Sequence, residues 1–362
     1  MSLIAEQDAT SCTTSRDVIC STGLVRTRWL PVSGVLLLSP VCAEYLSAYD
    51  ASTISLLSLL GGLLVLAPLY GAPALLAREV AVRRSLGWPG LLLILTAVGV
   101  LQAVVIDQSV VNSDYRDYEG WSEFWQPTYV PAAGLSAYAA VAFVLGHTVG
   151  SFGAPLAIVS VVSRDGGRSW LGRWSAVTLG VLYLVAAALV LGDHVSSEGW
   201  QLSTAQLMVS LLVVVALVGI ALRRTEGPGS RTPPARAWRA PSPMLMLPLG
   251  MAVESALAWS IVWPALFATI VGLVVVSVLL VLWGRSRAWT IRHVTSLAVG
   301  VLLSRALGGL LVEPVDGGRT ATTYLVNIGA VLLVVLLAAL AWLATRRRTR
   351  DVDQPGLRAS SI

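Results

Sequence analysis

The stretch "LMVSLLVVVALVGIAL", residues 207–222, decides the fold class, because it carries no charge and is apolar on every face of a helix. A helix rises 1.5 Å per residue, so about 20 apolar residues cross a hydrocarbon core of about 30 Å. A strand of a membrane barrel would instead alternate apolar and polar residues. The stretch therefore predicts a membrane-spanning helix.

Runs of this kind recur along the chain, which is 56% apolar and 12% charged. A soluble domain carries about 25% charged residues. The composition therefore predicts an all-α fold, a polytopic transmembrane helical bundle. Ten spans are predicted, with eight to eleven left open, at residues 30–49, 54–77, 88–108, 131–163, 174–192, 203–222, 244–262, 264–283, 293–312 and 321–344. The fourth is too long for one straight crossing, and Pro155 in "GSFGAP" (150–155) predicts a kink or break there.

Orientation follows from the arginines, since the chain has 25 of them and no lysine. The ten spans place 22 arginines on one side, and only Arg116 and Arg319 fall opposite, with Arg305 inside a span. By the positive-inside rule the arginine side is cytoplasmic. We therefore expect a multi-pass protein of the cytoplasmic (inner or plasma) membrane with both termini in the cytoplasm. Membrane lipid is the expected partner, and nucleic acid is not, because no soluble basic domain is present.

Composition divides the chain into five parts. Residues 1–28 form a polar cytoplasmic tail, 29–222 a six-span part, 223–243 a linker rich in Pro, Gly and Arg, 244–345 a four-span part, and 346–362 a basic cytoplasmic tail expected to be disordered. The first apolar run lacks a cleavage site, so we expect it to be a retained span. Cys12, Cys20 and Cys42 have no metal-ligand spacing and form no disulfide framework. No cofactor or metal is expected.

The segment "VVNSDYRDYEGWSEFWQPTYVP" (110–131) is acidic and aromatic and lies between two apolar spans on the predicted outer face. Its rings recur every three to four residues, a helical period, at Tyr115, Tyr118, Trp121, Trp125 and Tyr129. One interpretation is an amphipathic segment in the outer headgroup layer, with rings toward the membrane and acids toward water. The alternatives are a lid or site for a polar, sugar-bearing ligand, and a loop that only packs on its neighbours.

Two opposite charges are predicted near the middle of their spans, where an unpaired charge is costly. Glu254 lies in span seven and Arg305 in span nine, at similar depth, which predicts an ion pair between them. The pair is either a structural clamp or a site for an anionic or protonatable substrate. Asn327 in span ten is a candidate to complete either arrangement.

The six-span part has its own candidates for substrate binding. Glu44 and Asp107 are predicted at similar outer depth, where two nearby carboxylates suit proton handling. His147 precedes the predicted kink of span four, a place where transport folds expose backbone groups. The alternative is that the carboxylates are solvated at the interface and that His147 is a hydrogen-bonded core residue.

Two enzyme hypotheses have less support in the sequence. "FVLGH" (143–147) resembles the FxxxH element of CAAX-type intramembrane proteases, and "EVAVR" (79–83) resembles half of their EExxxR element. Position 78 is arginine instead of the second glutamate, and no later HxxxN element exists. A zinc site is not expected either, because His147, His194 and His293 are predicted in the inner half of the membrane, outside it and at its cytoplasmic edge.

Five stretches in order, "LLLSPVCAEYLSAYD", "APLYGAPALLAREVAVRR", "GVLQAVVIDQS", "FVLGHTVGSFGAP" and "SWLGRW", resemble a family of uncharacterised bacterial multi-spanning membrane proteins. The resemblance covers about residues 30–220 and implies a shared fold for the six-span part. It implies no activity. The sequence leaves three functional hypotheses: a carrier-like or ligand-handling protein for a small-molecule or lipid ligand, a non-catalytic membrane component of an export or envelope system, and an intramembrane hydrolase. It does not predict the oligomeric state.

Overall fold

The structure is a computed structural model that describes residues 27–47, 56–118, 120–163, 167–199, 201–223, 239–312 and 320–353. Cys12, Cys20, Arg319, most of the predicted N-terminal tail, residues 224–238 of the linker and residues 354–362 lie outside the described residues.

Helices make up almost the whole of the described chain, as the apolar runs predict. Ten of them, in the part of the chain that the structure describes, coincide with the ten predicted spans. They are α1 (Trp29–Tyr45), α2 (Leu57–Arg83), α3 (Gly87–Ile106), α4 (Ala137–Val162), α5 (Arg173–Glu198), α6 (Thr204–Arg223), α7 (Pro243–Trp259), α8 (Trp263–Gly284), α9 (Ile291–Gly308) and α10 (Ala321–Asp353). The all-α class is confirmed.

Seven helices in the described ranges are long and apolar enough to cross a membrane: α2, α3, α4, α5, α6, α8 and α10. Helices α1 and α7 are apolar but shorter. Helix α9 has 18 residues and includes Arg292, His293 and Arg305. The molecule is therefore a helical bundle suited to a membrane, and the number of ten crossings stays a prediction.

Four of these helices contain a π-helical segment, in which the backbone hydrogen bonds skip one residue further than in an α-helix. The segments are Val41–Tyr45 in α1, Ala67–Gly71 in α2, Leu101–Ile106 in α3 and His147–Gly153 in α4. At "GSFGAP", where a kink or break is predicted, the chain stays helical, because the π segment of α4 leads directly into an α-helical stretch that has Pro155 in its first turn. A π segment is one of the recognised causes of a helix kink. Single π turns of this kind are frequent at functional sites.

The six-span and four-span parts share one core. Residues of α1 and α4, among them Cys42, Leu46 and Ile158, pack against Leu302 and Ala306 of α9. Helices α7 and α9 cross so closely that a β-carbon added at Gly250 would lie 2.2 Å from the Leu297 carbonyl oxygen. Glycine is required here because no larger residue permits that approach. Helices α5, α6 and α8 instead present large apolar side chains on the surface, as expected of helices that face lipid.

The two ends of the bundle differ in chemistry. The arginine end carries Arg83, Arg173, Arg223, Arg285 and Arg346. The aromatic end carries residues 107–136, which form the 3₁₀ turns Tyr115–Asp117 and Gln126–Thr128, the one-turn helix Trp121–Trp125, and a short hairpin of β1 (Tyr129–Val130) with β2 (Leu135–Ser136). Helix α4 therefore begins at residue 137, six residues later than predicted.

At the arginine end the last turns of α10 lie in the predicted basic tail, and the disorder expected of that tail stays a prediction. Helix α10 continues to Asp353. Arginine is a good helix former, so a basic run that leaves the apolar span does not by itself end a helix.

Candidate functional site

The ion pair between Glu254 and Arg305 is formed. Arg305 lies in the last turn of α9, and its Nε is 2.7 Å from Oε1 of Glu254 on α7. Both side chains are largely buried, with 16% and 10% of their surface exposed for Arg305 and Glu254 respectively. A charge-assisted hydrogen bond of this length offsets part of the cost of burying two charges.

The Arg305 guanidinium also reaches two further helices. Its Nη1 donates to the Cys42 carbonyl oxygen of α1 at 2.9 Å, and its Nη2 donates to the Gly146 carbonyl oxygen of α4 at 3.4 Å. A β-carbon at Gly150 would lie 2.6 Å from the guanidinium, so the group occupies a notch that only glycine leaves open. One side chain thus joins α1, α4, α7 and α9.

Three of the other four candidates, Glu44, Asp107 and His147, lie in a second polar cluster. The Tyr70 hydroxyl donates a hydrogen bond to the Glu44 carboxylate, and the Tyr70 ring contacts the His147 ring with centroids 5.6 Å apart. His147 Nε2 is 3.9 Å from Asp107 Oδ2, and its Nδ1 is 3.2 Å from Ser151 Oγ. We call Glu44, Tyr70, Asp107 and His147 the outer cluster. Its members come from α1, α2, the end of α3, and α4.

His147 lies nearer the aromatic end than the sequence predicts. It is the eleventh residue of α4, and it contacts Asp107, which follows the last residue of α3 at that end. The predicted position in the half toward the arginine end is wrong, because the residues before 137 form the hairpin instead of the first turns of the span.

Asn327 makes its hydrogen bond elsewhere. Its Nδ2 donates to the Gly309 carbonyl oxygen at 2.8 Å, where the residue satisfies a backbone group at the end of α9. Gly309 is one turn beyond Arg305, so Asn327 supports the helix end that carries the arginine and does not bond to the ion pair itself.

Tyr70 and Gly150 are the site residues that sequence reasoning missed. A phenol in an apolar span is a signal for Tyr70, because a buried hydroxyl requires a partner. The spacing of Gly146 and Gly150, two small residues four apart on one helix face, is the signal for the notch.

The aromatic-end segment turns its rings into the bundle. Trp121 and Trp125 are buried, and their indole Nε1 atoms donate to the carbonyl oxygens of Asn112 and Val110. Tyr115 stacks on Trp121 with centroids 4.7 Å apart, and Tyr118 meets the Tyr115 ring edge to face.

A continuous amphipathic helix is not formed there. Arg116 and Asp117 have positive φ angles, and Gly120 has φ of 79°, so the helical period of the rings is interrupted twice. Instead, Trp121 lies parallel to Phe143 of α4, as in the alternative in which the segment packs on its neighbours.

Helix α5 holds this segment from the side. The Asn112 amide donates to the Glu198 carboxylate, and His194 Nδ1 lies 2.8 Å from the same carboxylate. The Tyr115 ring packs against His194. Burial raises the pKa of the Tyr115 phenol well above its usual range, and the negative charge of Asp107 raises it further.

At the arginine end, the Glu79 side chain binds the loop between α4 and α5. Its carboxylate accepts hydrogen bonds from the Ser169 hydroxyl, the Trp170 and Leu171 backbone amides, and Arg83 Nε at 2.7 Å. The Arg78 guanidinium lies 3.2 Å from the centre of the Trp170 ring. The motif "EVAVR" therefore fastens the loop between α4 and α5.

Glu79 and His147, the two residues matched to the protease elements, belong to separate clusters.

No protein-family model, curated protein or solved structure matches the chain. The resemblance of residues 30–220 to a bacterial membrane family accordingly stays a prediction. Within the described ranges, no group of three or more His, Cys, Asp or Glu side chains is placed to hold a metal ion.

Proposed function

We propose that the chain is a ten-span protein of the cytoplasmic membrane with both termini inside the cell, and that it is a carrier-like or ligand-handling protein. The arginine end would then face the cytoplasm and the aromatic end the outside. The topology is tested in a chain that lacks the three native cysteines. An impermeant thiol reagent applied to intact cells should label Asp117→Cys and not Arg84→Cys, and the reverse labelling would contradict the orientation.

One observation carries the ligand-handling proposal: all four π segments coincide with the polar interior. Cys42 and Glu44 lie in the first, Tyr70 in the second, and His147 in the fourth, while Asp107 directly follows the third. A π turn moves side chains out of regular packing, and such turns are frequent at functional sites. The candidate site therefore lies where α1, α2, α3, α4, α7 and α9 meet.

The chemistry of this region suits a polar or ionic ligand. Glu254 pairs with the Arg305 guanidinium, Asp107 lies 3.9 Å from the His147 ring, and Glu44 accepts a hydrogen bond from Tyr70. A charge in an apolar interior is costly without such partners. A clamp between two helices requires only the Arg305–Glu254 ion pair, which is already formed. Glu44, Asp107 and His147 are further polar groups that such a clamp does not need.

A second candidate function is favoured by the Arg305 contacts. Three of its nitrogens already bond to Glu254, Cys42 and Gly146, which is the arrangement expected of a structural clamp in a non-catalytic membrane component of an export or envelope system. The hydrolase hypothesis gains no support, because Glu79 is fully engaged with the loop at the arginine end.

Thiol accessibility separates the two candidates. In a chain without Cys12 and Cys20, the native Cys42 reports on the Arg305 region. Ser151→Cys in a chain that also lacks Cys42 reports on the His147 region. A small charged thiosulfonate reagent modifies a thiol only where water reaches it, so the carrier hypothesis predicts that both thiols are modified. Asp117→Cys is the reactive control. Val181→Cys, on the lipid-exposed face of α5, is the unreactive control. Unreactive thiols at both sites in a folded protein would favour the structural component.

A further inference from the structure

We propose that a groove between α1, α4 and α10 binds one acyl chain of an anionic phospholipid, whose headgroup lies at the arginine end. The groove is separate from the outer cluster, and its ligand goes beyond the ligand handling proposed above. The proposal rests neither on that function nor on which end of the bundle faces the cytoplasm.

The groove is an apolar channel that is open along one side. Three helices form its walls, with Leu30 and Val41 of α1, Val159 and Val162 of α4, and Leu337 and Leu340 of α10 among the residues that line it. Leu30, Val162 and Leu340 also have exposed surface, so the channel opens toward the surroundings of the bundle. An apolar channel of this kind favours hydrocarbon over water.

The dimensions of the groove select a hydrocarbon chain as its occupant. Val41 follows Leu30 by eleven residues, which is about 16 Å of helix and close to half of a hydrocarbon core of about 30 Å. The groove encloses about 360 Å³, and 360 divided by about 16 gives a mean cross-section of about 20 Å². A helix about 10 Å across needs about 80 Å². The space therefore fits one extended chain and is too narrow for a helix of a second copy.

One hydroxyl in the wall lies where a phospholipid has its ester groups. Ser163 caps α4 at the arginine end and is the one polar side chain among the described residues that line the groove. Its Oγ is buried and makes no hydrogen bond with the described residues. A buried hydroxyl without a partner is costly. The ester carbonyl oxygen at the head of an acyl chain is an acceptor for it.

The arginine end supplies the charge that an anionic headgroup requires. Helix α1 begins directly after Arg28, two residues before Leu30, and α10 continues from Leu340 to the exposed Arg346. Arg346 also packs on the Trp342 ring, 3.5 Å from its centroid. Charges attract over about 10 Å at ordinary ionic strength, so the attraction does not require a guanidinium without other contacts. Basic pockets between membrane helices bind anionic headgroups in this way.

The experiment is photochemical labelling of the purified full-length protein in phosphatidylcholine vesicles. A small fraction of the lipid carries a diazirine at the end of one acyl chain, and mass spectrometry locates the adducts after irradiation. With a phosphatidylglycerol probe the adducts should concentrate around Val41 and Leu333, the deep end of the groove. They should exceed those from a phosphatidylcholine probe about fivefold, the effect of one arginine near an anionic lipid. The lipid-exposed face of α5 around Val181 should be labelled equally by both probes.

Two pairs of variants test the groove and the charge separately. Leu340→Trp fills the groove and should lose most of the phosphatidylglycerol adducts at Val41. Leu336→Trp, at an exposed leucine of the same helix that does not line the groove, is its matched control and should keep them. Arg346→Gln should lower the preference for phosphatidylglycerol. Arg285→Gln, at an exposed arginine that caps α8 at the same end, should leave the preference unchanged.

Three results would overturn the proposal. The first is labelling of the groove no stronger than that of α5, and the second is equal labelling of the groove by the two probes. The third is an unchanged adduct pattern in folded Leu340→Trp. Adducts that are absent from the groove would show that a second copy or another segment of this chain fills it. The thiol measurements on the polar interior have no bearing on these outcomes, so the two proposals fail separately.

Discussion

Nη1 of Arg305 donates a 2.9 Å hydrogen bond to the carbonyl oxygen of Cys42, a residue 263 positions earlier in the chain. This bond, together with those to Glu254 and Gly146, ties the first helix to the four-span part. A buried cation thus helps to join the two parts that the sequence separates by a linker, in addition to the apolar core that they share. Replacing Arg305 should therefore destabilise both the six-span part and the four-span part.

Arg305→Met should destabilise the folded protein by about 3–5 kcal/mol, because it leaves the Glu254 carboxylate buried without its partner. The double variant Arg305→Met with Glu254→Gln should recover much of that loss, since no uncompensated charge remains. Unfolding by a denaturing detergent, followed by circular dichroism, measures both. Equal destabilisation by the single and double variants would show that packing, and not charge, dominates at this site.

Gly150→Ala should also destabilise the fold, because the added methyl group would lie 2.6 Å from the Arg305 guanidinium and displace it from the notch. Gly180→Ala is the matched control, a helical glycine of α5 with nothing within 4 Å of the added carbon. It should be neutral or stabilising by up to about 1 kcal/mol, since alanine is the better helix former. A thermal unfolding midpoint that falls equally in both variants would contradict the notch.

Glu79→Gln should release the loop between α4 and α5. A neutral amide keeps the size of the side chain but weakens the charge-assisted bonds to Ser169, Trp170 and Arg83. Trypsin should then cut faster after Arg168 or Arg173, which flank these residues. The rate is read by mass spectrometry of the fragments. Glu123→Gln, an exposed glutamate at the opposite end, is the control, and an unchanged cleavage rate in Glu79→Gln would contradict the fastening role.

The sequence predicts the parts of this fold that depend on composition. Apolar runs place the helices. Two opposite charges that are predicted near the middle of their spans lead to the Glu254–Arg305 pair, because an unpaired charge there is costly. The structure places Arg305 in the last turn of α9. The same reasoning brings Glu44, Asp107 and His147 to one end, but it places His147 too deep. That error arises from residues 131–136, which look like span and form a hairpin.

What the sequence does not predict depends on backbone detail. The π segments have no periodic signature, so the displacement of Tyr70 and His147 toward each other is visible only in three dimensions. The inward packing of Trp121 and Trp125 cannot be predicted from the sequence either. Aromatic residues spaced three to four apart are compatible both with an interfacial helix and with rings that pack against the end of the bundle.

Tyr115 predicts how stability depends on alkaline pH. An unperturbed tyrosine has a pKa of about 10, and burial raises the pKa of Tyr115 in the folded chain. The folded state thus binds the phenol proton more tightly than the unfolded state, so this stabilisation is complete below a pH of about 10. It is lost as the pH rises through the folded-state pKa. Each tenfold difference in proton affinity between the two states changes the free energy of unfolding by about 1.4 kcal/mol.

Tyr115→Phe should therefore make the fold less sensitive to alkali. The phenylalanine keeps the ring that stacks on Trp121 and removes the ionisable hydroxyl. Thermal unfolding midpoints measured from pH 9 to pH 11.5 should fall more steeply for the unmodified protein than for the variant. Tyr129→Phe, at a ring that is 38% exposed, is the control and should follow the unmodified protein. Parallel curves for Tyr115→Phe and the unmodified protein would mean that the Tyr115 hydroxyl reaches solvent in the folded protein.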